Sequence, residues 1–219
     1  MADKRALIFD FDGLIIDTEA AEVAAWREEF AQAGLPLDLD AYIATIGTNG
    51  PDVHRQAALL ANRAGETRSE AQIRKDHNAR SIEAGLKLPP LDGVLALLER
   101  AKAIGLLLAI GSSSDDGWVH TLVDGLGIRN QFDVIVTFDD VALAKPAPDI
   151  YLKVLEKLDV KPENALVLED SHNGVIAAHQ AGIRVVAVPT ALTKHLDFSL
   201  AEEVLNSLAD LRLENYFSV

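Results

Sequence analysis

The chain alternates between short, dense apolar runs and longer stretches in which apolar residues return every three or four positions. Five runs stand out: Ala6–Phe9, Leu106–Ile110, Val134–Val136, Ala165–Leu168 and Val185–Val188. Each is too short for a helix and lacks polar alternation, as expected of strands buried on both faces of a parallel sheet. Helical patterns fill the intervals between them, which predicts an α/β fold. The later runs follow one another at about 15 to 30 residues, the length of a βαβ unit. About 95 residues lie between the first two, and one crossover helix leaves about 70 of them over, a surplus that reads as an inserted domain.

The insert begins near Asp17. A helix is predicted over Glu19–Ala33, with Val23, Trp26 and Phe30 on one stripe and Gly34 past its end. A second covers Asp38–Ile46, Gly47–Pro51 forms a loop, and helices over Val53–Ala64 and Ser69–Ala84 complete a small bundle. Leu88-Pro89-Pro90 returns the chain, and a helix around Asp92–Ala103 resumes the core. The expected division is therefore a sheet core of residues 1–16 and 89–219, with a helical insert at 17–88.

Polar chemistry gathers where the apolar runs end. The first runs into Asp10-Phe11-Asp12-Gly13. Residues two apart on a strand share a face, so Asp10 and Asp12 can converge, and Gly13 allows a sharp turn. Two close carboxylates repel each other and raise one pKa; a divalent cation removes the conflict, and oxygen ligands suit Mg²⁺. Alone, the motif also fits a plain acidic turn. The second run ends in Gly111-Ser112-Ser113-Ser114-Asp115, an anion site at a helix start or a simple cap. Lys145, fixed before Pro146, can serve as a point charge for an anion, although most lysines are merely exposed. The fourth run ends in Glu169-Asp170-Ser171-His172, a second acidic strand end; His172 itself reads as a structural or exposed loop residue. Loops at the carboxyl ends of parallel strands meet where strand order reverses. These four segments can therefore assemble one site holding an anion, a metal and a nucleophile.

Composition removes several alternatives. The absence of cysteine excludes disulfides, thiolate zinc sites and a cysteine nucleophile. A formal net charge of −14 argues against nucleic acid as a partner. No apolar stretch approaches the roughly eighteen residues of a membrane span, so no membrane association and a cytoplasmic location are expected. A monomer is expected, because such a fold buries its own sheet. Ser114 stands where a serine-hydrolase elbow needs Gly, and Gly125-Leu126-Gly127 lacks the third glycine of a dinucleotide fingerprint.

Taken together, the four segments resemble the haloacid dehalogenase superfamily over essentially the whole chain. Asp10-Phe11-Asp12-Gly13 is similar to its first motif, Ser112 to its second, Lys145 to its third and Glu169-Asp170 to its fourth. Leu14-Ile15-Ile16-Asp17-Thr18-Glu19 and Lys145-Pro146-Ala147-Pro148-Asp149-Ile150-Tyr151 resemble the branch containing β-phosphoglucomutase and small sugar-phosphate phosphatases. The resemblance implies a Rossmann-like core with a helical cap inserted after the first motif. It implies Asp10 as nucleophile and Asp12 as general acid and base. Mg²⁺ would be held by Asp10, the Asp12 backbone carbonyl and Asp170, with Glu169 as ligand or neighbour. Ser112, backbone N–H groups near Ser113, and Lys145 would hold the phosphoryl oxygens. An acid at position 12 disfavours dehalogenation, whose halide leaving group needs no proton. Thr48, Asn49 and Gly50 would lie in the loop facing the site, with Arg55 the nearest cation after it, so these four would select the substrate. Glu22 falls where the mutases carry a histidine: an acid facing the site there would repel a second phosphate, and a solvated helix residue would equally lack the mutase signature. The expected activity is Mg²⁺-dependent hydrolysis of a small phosphate ester, with a phosphosugar mutase as the alternative.

Overall fold

A computed structural model describes residues 4–47, 55–63 and 65–217. Six parallel strands form one sheet in the order β3-β2-β1-β4-β5-β6. They are β1 (Ala6–Phe9), β2 (Leu107–Gly111), β3 (Val134–Val136), β4 (Ala165–Glu169), β5 (Arg184–Ala187) and β6 (Glu203–Val204). The five apolar runs are β1 to β5 within a residue at each end. The edge strand β6 carries no such run, because it is two residues long and half polar.

Alternation along the strands feeds two apolar layers. Leu7, Phe9, Leu108, Ile110, Leu166 and Leu168 face one side, with helices α5 (Val94–Ala103) and α6 (Asp116–Gly125). Ala6, Ile8, Ala109, Ala165 and Val167 face the other, with α7 (Asp149–Leu158) and α8 (His172–Gln180). The pattern along β1 and β4 continues past the strand ends, so Asp10 and Glu169 belong on the α7 face. Phe9 is paired with Ile110 on one side and Leu168 on the other, and the Asp10 N–H donates to the Leu168 carbonyl at 2.9 Å. Strand order reverses between the adjacent strands β1 and β4, which is where a parallel sheet opens a crevice.

Among the described residues, four helices are inserted between β1 and β2 ahead of α5: α1 (Thr18–Gln32), α2 (Leu39–Ile43), α3 (Arg55–Ala61) and α4 (Glu70–Gly85). They have a hydrophobic cluster of their own, built on Val23, Trp26, Phe30, Ile43, Leu60 and Ile73. Asp17, Asp38 and Ser69 accept backbone N–H groups at the starts of α1, α2 and α4. Buried Glu29 on α1 ties the bundle together by receiving both Arg68 and Arg80. The helix expected over Asp38–Ile46 stops at Ile43, and its last residues turn toward the sheet instead. Thr48, Asn49 and Gly50 lie outside the described residues; Arg55 opens α3, but its side chain lies outside them too. Among the described residues, no helix is long and apolar enough to cross a membrane.

Candidate active site

Immediately after β1 the chain folds back on itself. Gly13 adopts φ 74°, its N–H donates to the Ile16 carbonyl at 2.8 Å, and α1 starts at Thr18. A side chain at Gly13 would be strained in that conformation and would also collide with Asp170. This tight return brings the first turn of α1 over the carboxyl end of the sheet. Asp10, Asp12, Thr18, Glu19, Glu22 and Tyr42 line one pocket together with Ser112, Ser113, Ser114 and Trp118.

Behind Asp10 lies Lys145, only 1% exposed. Its Nζ donates to Asp10 Oδ1 and to Glu169 Oε1, each at 2.6 Å. It also sits 4.8 Å from the centre of the Tyr151 ring, whose hydroxyl donates to the same Glu169 oxygen. The second Glu169 oxygen accepts from the Ser171 N–H at 3.2 Å and the Ser171 hydroxyl at 3.0 Å. Glu169 is thus saturated. Burial opposes charge on Lys145, but attraction to Asp10 and Glu169 outweighs it and raises the lysine's pKa. The general expectation that a lone lysine is exposed fails because α7 carries Ile150, Tyr151 and Val154 into the sheet and draws Lys145 in with them.

Asp12 is held differently. Its Oδ1 accepts from the Trp118 indole N–H and the Thr18 hydroxyl, both at 2.7 Å. Its Oδ2 accepts from Ser114 at 2.7 Å and from Ser112 at 3.4 Å. Ser113 bridges core and insert, since its hydroxyl donates to the Gly47 carbonyl at 3.1 Å and receives the Lys145 N–H at 3.3 Å. Asn173 donates to the Ile46 carbonyl at 2.9 Å from the opposite side. His172 stands away from these groups, bonded to the Asp197 carbonyl.

The site carries more negative than positive charge. Asp10, Glu169 and Asp170 present ligand atoms within 4.8 Å of one another, and all three are buried. Burial and then repulsion from Glu169 push the Asp10 carboxyl up to about 8, despite Lys145. Both oxygens of fully buried Asp170 lack a hydrogen-bond partner, as does Oε2 of Glu19. Burial and then the Glu19 charge raise the Asp170 pKa; burial and then Asp12 raise that of Glu19. An unpartnered buried carboxylate costs several kcal/mol, on the order of 1–3 or more even for a single hydrogen bond lost. An all-oxygen donor set with spare lone pairs fits a hard divalent cation, so the acidic cluster can hold a metal.

The structure brings together Asp10, Asp12, Ser112, Ser113, Lys145, Glu169 and Asp170, the residues singled out in the core. Of the two readings of Glu22, the structure favours the residue that faces the site: it lines the pocket, accepts the Tyr42 hydroxyl at 2.7 Å and is pushed up to about 7 by burial. Trp118, Thr18, Tyr42 and Tyr151 were not anticipated. Trp118 offered one faint signal, a large aromatic with a polar handle in the first turn of the helix that follows the serine run.

Comparison with known proteins gives a consistent result. Residues 7–188 match the family model described as haloacid dehalogenase-like hydrolase. YhcW of Bacillus subtilis (strain 168) is 38% identical over 95% of this chain and 94% of its own. The fructose-1-phosphate phosphatase YqaB of Escherichia coli (strain K12) is 35% identical over 83% of this chain and 95% of its own. CbbY from Rhodobacter sphaeroides, solved in complex with phosphate, superimposes with a TM-score of 0.79 at 32% identity, covering 95% of this chain and 96% of that one. A mutant of the same protein has been solved with xylulose 1,5-bisphosphate.

Proposed function

This chain belongs to the haloacid dehalogenase-like hydrolases, and from that premise we propose that it is a Mg²⁺-dependent phosphatase of small sugar or polyol phosphates. The observation that carries this reading is the disposition of two neighbouring carboxylates. Asp10 is paired with a buried lysine, while Asp12 is held by hydroxyls and an indole on the wall of the same pocket. A protein that merely bound an anion would have no use for two carboxylates beside it.

Asp10 attacks phosphorus and becomes an aspartyl phosphate as the ester oxygen leaves. Asp12 protonates that oxygen, then takes a proton from the water that hydrolyses the phosphoenzyme. The hydrogen bonds support one path for that proton. The Trp118 N–H can only donate, so Oδ1 stays an acceptor. The Ser114 and Ser112 hydroxyls can rotate and accept, so Oδ2 is the oxygen able to carry a proton. Lys145 offsets the charge of Asp10 as an anionic ester approaches, and its third N–H is the one left for a phosphoryl oxygen. Ser112 and Ser113 line the same pocket, at the turn where the rest of the cradle would form. Bound at Asp10 and Asp170, Mg²⁺ would supply charge neutralisation between nucleophile and phosphate. Residues 17–88 act as the cap that closes over the ester and excludes water, a division supported by their separate hydrophobic cluster.

Specificity for a hydroxyl-rich leaving group is supported by what lines the pocket beyond Asp12. Glu22, Tyr42, Thr45 and Asn78 are there, and no Lys or Arg is among the described lining residues. Such groups bind sugar hydroxyls, and none of them brings a positive charge to a second phosphate. Relatives support the class: YqaB is named for fructose 1-phosphate. Phosphate release from a panel of sugar and polyol monophosphates, fructose 1-phosphate included, tests the assignment. Hydrolysis should require Mg²⁺ and stop on chelation. With β-glucose 1-phosphate and a glucose 1,6-bisphosphate activator, inorganic phosphate should outrun glucose 6-phosphate. Isomer appearing faster than free phosphate would make the protein a mutase.

A further inference from the structure

Glu19 has no part in the chemistry described so far, yet it is placed as if for one. It lies in the first turn of α1, is 6% exposed, and leaves Oε2 without a partner. Both oxygens of Asp170 are likewise buried and unpartnered. The two residues meet across Gly13: a Cβ there would sit 2.4 Å from Asp170 Oδ2 and 3.1 Å from Glu19 Oε2. Two orphaned carboxylate oxygens therefore abut the same bare stretch of backbone. Glu169, by contrast, has both oxygens engaged, one by Lys145 and Tyr151 and the other by Ser171.

Two anions that lack hydrogen bonds and face each other out of water are mutually destabilising unless something positive or protic lies between them. The β1–α1 return is what creates the encounter. Asp170 comes from the end of β4, Glu19 from the start of α1, and only a glycine at position 13 lets them close.

We infer that Glu19 is a positioning residue of the cation site, accepting hydrogen bonds from water coordinated to the ion that Asp170 and Asp10 hold. Mg²⁺ dehydrates reluctantly and keeps several waters, so it needs acceptors outside its direct ligands. With Glu169 committed to Lys145, Glu19 is the neighbouring carboxylate with an oxygen still free for that task. Its place in the first turn of α1 gives the arrangement a consequence. Cation binding pins the start of the first cap helix to the core, so metal occupancy and the seating of α1 are linked. The inference rests on the reading of the acidic cluster as a Mg²⁺ site.

The test is Mg²⁺ binding to the substrate-free protein, followed by calorimetry and by melting temperature, in the wild type and in Glu19→Gln, Glu19→Asp and Asp170→Asn. Glu19→Gln should melt higher than the wild type in chelator, because an unpaired buried anion is gone. It should bind Mg²⁺ about 10- to 100-fold more weakly, the usual effect of losing an outer-shell partner. Its melting temperature should accordingly rise less with millimolar Mg²⁺. Glu19→Asp keeps the charge on a shorter stem and should fall between the two. A merely structural glutamate would behave in the opposite sense, with a lower melting point in chelator and unchanged affinity. Undiminished Mg²⁺ affinity in both Glu19 variants overturns the inference. Asp170→Asn separates the two levels: if it binds Mg²⁺ as the wild type does, the cluster is not the cation site at all. If it does not bind while Glu19→Gln binds normally, only the role of Glu19 fails.

Discussion

Asp10→Asn should abolish turnover, with a loss of at least about 10³-fold, while leaving the fold intact. The amide is nearly isosteric with the carboxylate and its oxygen can still accept from Lys145, so the buried contact at 2.6 Å survives. What disappears is the anionic oxygen that would bond to phosphorus. Stability should move the other way. Burial and the neighbouring Glu169 push the Asp10 carboxyl up to about 8, so ionising it at neutral pH costs the folded state. Without metal, the variant should melt no lower than the wild type, and higher as pH rises from about 6 to 8. Retention of more than a few per cent of activity would remove Asp10 from the role of nucleophile. A collapse in melting temperature would mean that the charge of Asp10 is structural.

Lys145→Met should be the most destabilising single change in the core site. The substitution keeps an apolar stem and removes a cation that touches Asp10 and Glu169 with no exposure to solvent. Removing one member of a buried charge cluster typically costs about 3–5 kcal/mol, because the partners stay buried and unpaired. For a chain of this size that is on the order of 10 °C in melting temperature. The deficit should depend on pH in a definite sense. Without the ammonium, Asp10 loses the contact that holds its pKa down, so the folded variant binds more protons than its unfolded chain. Its stability therefore falls as pH rises, and the gap to the wild type should be small near pH 5 and large near pH 8. Turnover should fall with it, since nothing then offsets the charge of Asp10 against an anionic ester. Equal melting temperatures at pH 8 would show that Lys145 does not carry the balance of charge.

The strands that build this site were legible because both of their faces are buried. Four consecutive apolar residues such as Ala6–Phe9 leave few alternatives, and the acids that follow announce a functional strand end. The insert was legible as surplus length. The edge strand β6 was not, because Glu203-Val204 has no pattern to distinguish it from loop. Within the site, the residues at strand ends were readable and those that orient them were not. Trp118 reaches Asp12 across 106 positions and Tyr151 reaches Glu169 across 18, and neither contact leaves a local trace. Glu22 stayed ambiguous for a related reason. On α1 it resembles any acid on a helix, and only the approach of Tyr42 from α2 makes it part of the pocket.

We propose that phosphate passes through Asp10 and that Asp12 governs its release, a path that is trapped by mixing Asp12→Asn with 4-nitrophenyl phosphate in the presence of Mg²⁺. The nitrophenolate leaving group needs no proton, so the first step should proceed without an acid at position 12. The second step needs Asp12 to activate water and should stall. A burst of nitrophenolate equal to the enzyme present should appear, followed by slow turnover. The peptide containing Asp10 should carry the mass of one phosphoryl group after acid quenching. Slow release with no burst and no adduct on Asp10 would contradict it.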